Sequence, residues 1–223
     1  MQTKTDPPAD AGLQGNELRV AVTRDKICTA VIRCLDEVGY SETSINRVQQ
    51  LAGVSRGALT HHFPSKEAMM VETLERLLDP VRGQPGTGDA APTGLARMAG
   101  QGRGIQEDLH FLWRKVVNTS EGRALLEILV ASRTDAQLRT RIAPSLETYN
   151  SQINSNILNL YAATGDQPDD IQMMWSICRC FLRGLHTQSP YETDPEAINR
   201  MVDRFGQMIA PHMTTRTKQE RSP

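Results

Sequence analysis

Between residues 43 and 64 the chain reads TSINRVQQLAGVSRGALTHHFP, and its small and cyclic residues fall where they cut the stretch into two short helices. A first helix of about two turns begins behind Thr43 and runs to Leu51. It breaks at Ala52-Gly53-Val54, where Gly53 can take positive φ without steric cost. Ser55 can then accept free amide protons and start a second helix. Pro64 pushes Phe63 out of the α region and ends it. Val48, Val54 and Leu59 fall where they can meet in the angle between the two helices. Two short helices joined through a glycine corner make a helix-turn-helix, whose second helix fits a DNA major groove, although plain helical hairpins share that spacing.

Charge separates this region from the rest. Residues 19–66 hold seven Lys/Arg and four Asp/Glu, a net +3. The whole chain is formally -1, so the remainder carries -4. A basic end on an acidic body suits contact with a polyanion.

Elsewhere the signal is helical and not stranded, in keeping with a chain that is only 4% aromatic. The expected fold is all-α. Residues 1–18 read as a disordered tail and 19–80 as the helix-turn-helix domain, beginning with a helix that carries Ile27, Val31, Cys34 and Leu35 and ends at Gly39 with a left-handed cap. A fourth helix starts behind Ser65 and stops at Pro80. The Gly- and Pro-rich residues 81–94 read as a linker. Residues 95–213 form a helical body with stripes at Ile105, Leu109, Leu112, Trp113 and Val116, at Leu125, Ile128 and Leu129, and at Leu146, Tyr149, Ile153, Ile157 and Leu160. Two more helices are expected over residues 168–187 and 195–212. No strand is expected, and residues 214–223 read as a second disordered tail. Cys28, Cys34, Cys178 and Cys180 have neither zinc-finger nor thioredoxin spacing, which leaves them as buried small residues or as a redox switch. No apolar run spans a bilayer and the start of the chain has no signal-peptide core, so a cytoplasmic protein without membrane contact is expected.

Residues 24–70, RDKICTAVIRCLDEVGYSETSINRVQQLAGVSRGALTHHFPSKEAMM, resemble the DNA-binding domain of the TetR family of bacterial transcriptional regulators. The matching elements are Gly39-Tyr40, Thr43-Ser44, Ala52-Gly53-Val54-Ser55, Gly57-Ala58-Leu59, His62-Phe63 and Ser65-Lys66-Glu67. The chain departs from the family at Gln49, where a small residue is usual, and at Thr60, where tyrosine is frequent. The resemblance implies a three-helix DNA-binding domain joined to a C-terminal ligand-binding and dimerisation domain. Its partners would be a double-stranded DNA operator, a second copy of the chain and an unidentified small-molecule effector, with no cofactor. The implied function is a sequence-specific regulator, in such families most often a repressor released by its effector.

Candidate DNA contacts follow from position. Arg56 opens the second helix, where residues face base edges, and Gly57 beside it lets backbone approach closely. Ser55, Thr60 and His61 share that helix, and the family pattern turns His61 to the DNA backbone and His62 to the domain core. Thr43 and Ser44 offer hydroxyls to phosphate, Asn46 and Arg47 lie one turn in, and Lys66 suits a phosphate contact. His61 and His62 project about 100° apart and face no shared ligand, so no metal site is expected. Neither a nucleophile elbow nor a phosphate loop nor a carboxylate pair marks an enzyme, and GQGRG at 100–104 has no preceding strand. A helical interaction module that has lost DNA binding is the remaining alternative. For the body, His110, Phe111, Trp113, Arg114, Met173 and Met174 are candidate effector contacts, and Trp175, Phe181, Leu185, Met201 and Phe205 candidate dimer contacts.

Overall fold

A computed structural model describes residues 9–82, 104–164 and 170–216, and it is helical nearly throughout. The expected linker, from 83 on, and the outer parts of both tails lie outside the described residues. Helix α1 (Ala9–Glu42) is interrupted at Gly39. Helices α2 (Ile45–Ala52), α3 (Arg56–His62) and α4 (Lys66–Arg82) complete the N-terminal head. The body holds α5 (Ile105–Leu112), a π-helical turn at Trp113–Val117, α6 (Ser120–Ala131), α7 (Ala136–Leu160), α8 (Asp170–Gln188) and α9 (Ala197–Ile209). No described helix is long and apolar enough to cross a membrane.

Four boundaries differ from expectation. Helix α1 starts at Ala9, inside the supposed tail, because residues 9–18 contain no proline and Ala, Leu, Gln and Glu extend a nucleated helix cheaply. At Gly39 the positive φ is present (75°), but ψ is 175°, so the chain turns there without a left-handed cap. Helix α4 continues through Pro80 to Arg82. Two strands also form: β1 (Tyr161–Ala163) pairs antiparallel with β2 (Met213–Thr215), Tyr161 opposite Thr215. Arg216 extends the join, its amide and guanidinium donating to the carbonyls of Leu160 and Tyr161 at 2.8 and 3.3 Å. Residues 214–216 are therefore ordered, and three-residue strands this far apart in sequence leave no local pattern to read.

The buried side chains form two clusters. One joins Ile27, Val31, Leu35, Val48, Leu59, Phe63, Met69, Met70 and Leu74 of the head to Ala124, Ile128, Leu138 and Ile142 of α6 and α7. The other fills the far body around Leu109, Trp113, Ile157, Trp175, Cys178, Leu182 and Val202. The head core thus extends into the start of the body. Cys28, Cys34 and Cys178 are buried as small apolar residues, whereas Cys180 is exposed.

Candidate nucleic-acid interface and body pocket

The motif folds as its punctuation dictates. Ser44, not Thr43, is the N-cap of α2, accepting from the Arg47 amide at 3.2 Å. Gly53 closes α2 in the left-handed conformation (φ 64°, ψ 32°), its amide reaching the carbonyls of Gln49 and Gln50. Ser55 caps α3 by accepting from the Ala58 amide at 3.1 Å, and Phe63 ends it in extended backbone ahead of Pro64. Val48 and Leu59 are fully buried and Val54 packs against them. Ser65 caps α4 through the Ala68 amide at 3.1 Å.

This frame leaves Ser44, Asn46 and Arg47 exposed at one end of α2, and Ser55, Arg56, Gly57, Thr60 and His61 exposed along α3. Among the described residues no carboxylate or carbonyl holds the guanidinium of Arg47 or Arg56, although other arginines of the head are engaged, Arg76 by Asp25 at 2.7 Å among them. Arg24 is gripped by Glu72 through two hydrogen bonds of 3.2 and 2.6 Å, and Arg33 by Glu37 at 2.7 Å. Thr60 turns its hydroxyl onto the carbonyls of Arg56 and Gly57. His62 is half-buried, and burial first, then the nearby His61 and Arg24, lowers its pKa. No cluster of three or more metal-ligating side chains occurs among the described residues.

Two candidate contacts need correction. Thr43 is fully buried and its hydroxyl donates to the Gly39 carbonyl at 2.7 Å, so it locks the corner after α1 and offers nothing to a phosphate. Lys66 is not a free side chain: its ammonium donates to the Tyr40 carbonyl at 2.6 Å and lies 4.2 Å from the centre of the Tyr40 ring. Burial pulls its pKa below the ordinary lysine value, with Glu67, Glu42 and Asp135 opposing. Tyr40 is a junction, since its amide donates to Glu127 at 2.8 Å and its hydroxyl reaches Asp135 at 3.4 Å. Burial and then Asp135 push its phenol up to about 12.

A cavity of about 290 Å³ opens between α4, the end of α5, the π turn, α6, α7 and α8. Its walls include Leu77, Leu112, Val116, Leu125, Trp175 and Leu182, with Lys115, Arg179 and Arg183 as cationic groups. None of the six expected effector contacts lines it. Trp113 and Leu109 fill the body core, and Phe111 and Met174 pack beside them. His110 turns to α9, its Nε2 lying 2.6 Å from Asp203. Arg114 is exposed, and Met173 is 64% exposed on the outer face of α8. The π turn shifts the register along this segment: nearly one extra residue per turn rotates Val116 away from the stripe of Leu109 and Trp113, and delivers it to the cavity.

The dimer candidates shift in the same way. Trp175 and Leu185 are buried inside the subunit, and Phe181 stacks on Phe205 of the same chain with ring centres 3.9 Å apart. These rings close the α8–α9 contact. The apolar side chains that α8 and α9 leave outside are Met173, Ile177, Met201 and Met208.

Residues 27–73 match the family described as bacterial regulatory proteins, tetR family. The transcriptional regulator CymR of Pseudomonas putida is 28% identical over 184 residues, which cover 82% of this chain and 87% of that one. The transcriptional repressor Rv1474c of Mycobacterium tuberculosis is 39% identical over 54 residues, 24% of this chain and 29% of that one. Among solved structures, a putative transcriptional regulator from Saccharomonospora viridis in complex with choline superposes with a TM-score of 0.62 at 16% identity, covering 88% of this chain and 100% of that one. A transcriptional regulator from Rhodococcus superposes at 0.60 and 20% identity, covering 83% and 95%.

Proposed function

This chain is a TetR-family transcriptional regulator with a DNA-binding helix-turn-helix, and from that premise we propose that it is a homodimeric repressor released from its operator by a small molecule held in the body cavity. In this reading α3 enters the major groove. Arg56 reads a base edge, Gly57 lets the backbone close in, and Ser44, Asn46, Arg47 and His61 meet the flanking phosphates. The observation that carries it is Arg56, exposed and unpaired at the start of a helix whose cap and corner are both fixed. Met173, Ile177, Met201 and Met208 are the surface for the second copy, since two heads on one duplex multiply the contacts of one small head.

The effector reading is supported by the cavity and by two proteins of similar fold, a putative transcriptional regulator solved in complex with choline and a multidrug binding protein solved in complex with imidazole. Coupling runs through α6 as well as α4. On its cavity face α6 presents Glu121, Gly122, Leu125 and Leu126. On its other face Arg123 and Ser120 hold Asp36 of α1, and Glu127 holds the Tyr40 amide. A ligand that displaces α6 or Leu77 of α4 therefore moves the head. A coupling of about 1–3 kcal/mol changes operator affinity 5–150-fold, enough for a switch. Gel shifts against the DNA upstream of the chain's own gene, over a salt series, test the DNA reading. Steep salt dependence with sequence preference is expected. Absence of salt-dependent binding would favour an interaction module instead, consistent with Thr60 and Lys66 being tied within the protein.

A further inference from the structure

Resting on the reading of the body cavity as the effector site, we propose that its ligand is a small carboxylate with an apolar single-ring or short-chain body, bound through Arg179 and Arg183 of α8 with the Trp175 indole as an additional donor. Trp175, Arg179 and Arg183 stand four residues apart and all line the cavity, so they form one stripe along one face of α8. Their polar atoms are unmatched. Trp175 is 2% exposed, yet its Nε1 has no hydrogen-bond partner, and neither has the buried Nε of Arg179. Among the described residues Arg179 makes one hydrogen bond, from Nη1 to the Asn150 amide oxygen at 2.9 Å, a neutral acceptor. No carboxylate pairs with Arg179 or Arg183 among the described residues, and the two cations stand one helical turn apart.

Buried donors without acceptors cost free energy, and two adjacent cations without a counter-ion cost more. Burial and then the neighbouring Arg183 already lower the pKa of Arg179. An anion relieves all of these at once. Lys115 adds a third cation to the lining and Glu121, exposed, is its acid, so the cavity carries a net +2 from its own walls. The remaining lining is apolar, with Leu112, Val116, Leu125 and Leu182, and it is matched by hydrocarbon and not by a sugar or a nucleotide. A volume of about 290 Å³ lies at the lower edge of the range for ligand pockets, which limits the ligand to one ring or a short chain. A carboxylate's two oxygens fit arginine in a fork and leave room for the indole N–H. A quaternary ammonium such as choline would be repelled by the same groups, and a neutral ligand would leave the arginines unpaired.

The test is calorimetry on the whole chain of 223 residues with benzoate, phenylacetate and hexanoate, their neutral amides, phenyl phosphate and choline. At least one acid should bind about 10–100-fold more tightly than its amide, the range expected of hydrogen bonds to a charged group. Arg179→Met and, independently, Arg183→Met should bring acid and amide to similar affinities, with unchanged helicity by circular dichroism. The proposal is overturned if the amides match the acids, if choline or phenyl phosphate binds better, or if no acid binds at millimolar concentration. Gel shifts run in parallel separate the two readings. An acid that binds without releasing the operator leaves the ligand class standing and sinks the release mechanism, whereas a neutral or cationic compound that releases the operator does the reverse.

Discussion

The head draws its candidate DNA face from residues 44–61, whereas the cavity draws its lining from Leu77 to Arg183 across six elements. In the head, local chemistry alone fixes geometry: a serine cap, a glycine corner and a proline stop orient α3 whatever lies further away. In the body, a side chain reaches the cavity only after distant helices have packed and one π turn has shifted the register. One site is written in the chain and the other is assembled by the fold. The two regions also depend on each other, since α6 and α7 complete the core of the head.

The most damaging single change should be Gly122→Ala, which probes that dependence. A Cβ at Gly122 would stand 2.2 Å from the backbone carbonyl oxygens of both Val116 and Val117, and backbone cannot rotate out of the way. We expect a loss of about 3 kcal/mol and a fall in melting temperature of about 6–12 °C. Because α6 carries part of the head core, operator binding should weaken near the new melting temperature. A head that keeps full affinity in an unfolded body would break the comparison.

Next in size is a pair of substitutions on α8. Ile177→Glu, on the outer face, should convert a dimer to a folded monomer, while Phe181→Glu should lose the stack on Phe205 and unfold the subunit. Ultracentrifugation and circular dichroism separate the outcomes, and a wild-type chain that is monomeric at micromolar concentration contradicts the dimer altogether. Operator affinity should collapse in both variants, for different reasons.

The contrast explains what the sequence could tell. The all-α fold, the cap at Ser55, the corner at Gly53 and the end at Phe63-Pro64 were legible because each depends on neighbours within a few residues. Simple helical periodicity puts Leu109, Trp113 and Val116 on one stripe, but only Trp113 stays with Leu109 in the core; Val116 goes to the cavity, because a π turn leaves no mark in that pattern. Trp175 and Phe181 read as partner contacts because an apolar stripe does not say which of its residues its own chain will cover, and here its own chain covers both. Thr43 and Lys66 match the family's motif, yet their polar atoms serve the corner around Gly39 and Tyr40. The unmatched donors of Trp175 and Arg179 had no sequence signal at all, for being unpaired is a property of the packed state.

Within the head, Arg56 and Lys66 should now behave differently. Arg56→Ala should weaken operator binding by about 1–3 kcal/mol and relax specificity at one base, with no change in melting temperature. Lys66→Ala should lower stability by about 1 kcal/mol, through loss of a charge-assisted bond to the Tyr40 carbonyl, and affect all DNA sequences alike. Gel shifts on operator and random DNA, with a thermal melt of each variant, decide the matter. Equal loss on both DNAs for Arg56→Ala would remove its base-reading role.

The smallest effect, and the one that bears most directly on how the two regions communicate, is expected from Asp36→Asn. Asp36 of α1 accepts from Arg123 and Ser120 of α6, with Arg123 Nη2 at 2.9 Å, and it touches neither the candidate DNA face nor the cavity. The Arg123 hydrogen bonds hold its carboxyl below the usual aspartate range, burial opposes, and Ser120 assists. A carboxyl depressed in the folded state means that the unfolded chain takes up the proton first. The contribution is therefore complete above the unfolded value near 3.9 and is lost as pH falls through the lower folded value. Wild-type stability should decline over that acid window by about 1 kcal/mol more than the variant's, a modest size because Arg123 is a third exposed. At neutral pH the variant should bind operator normally, yet its response to a cavity ligand should shrink by about 0.5–2 kcal/mol, because α6 no longer grips α1. Titrating operator release against ligand in both proteins measures this directly. An unchanged response in Asp36→Asn would assign the coupling to Leu77 and α4 alone, and make the head a passenger of one helix instead of two.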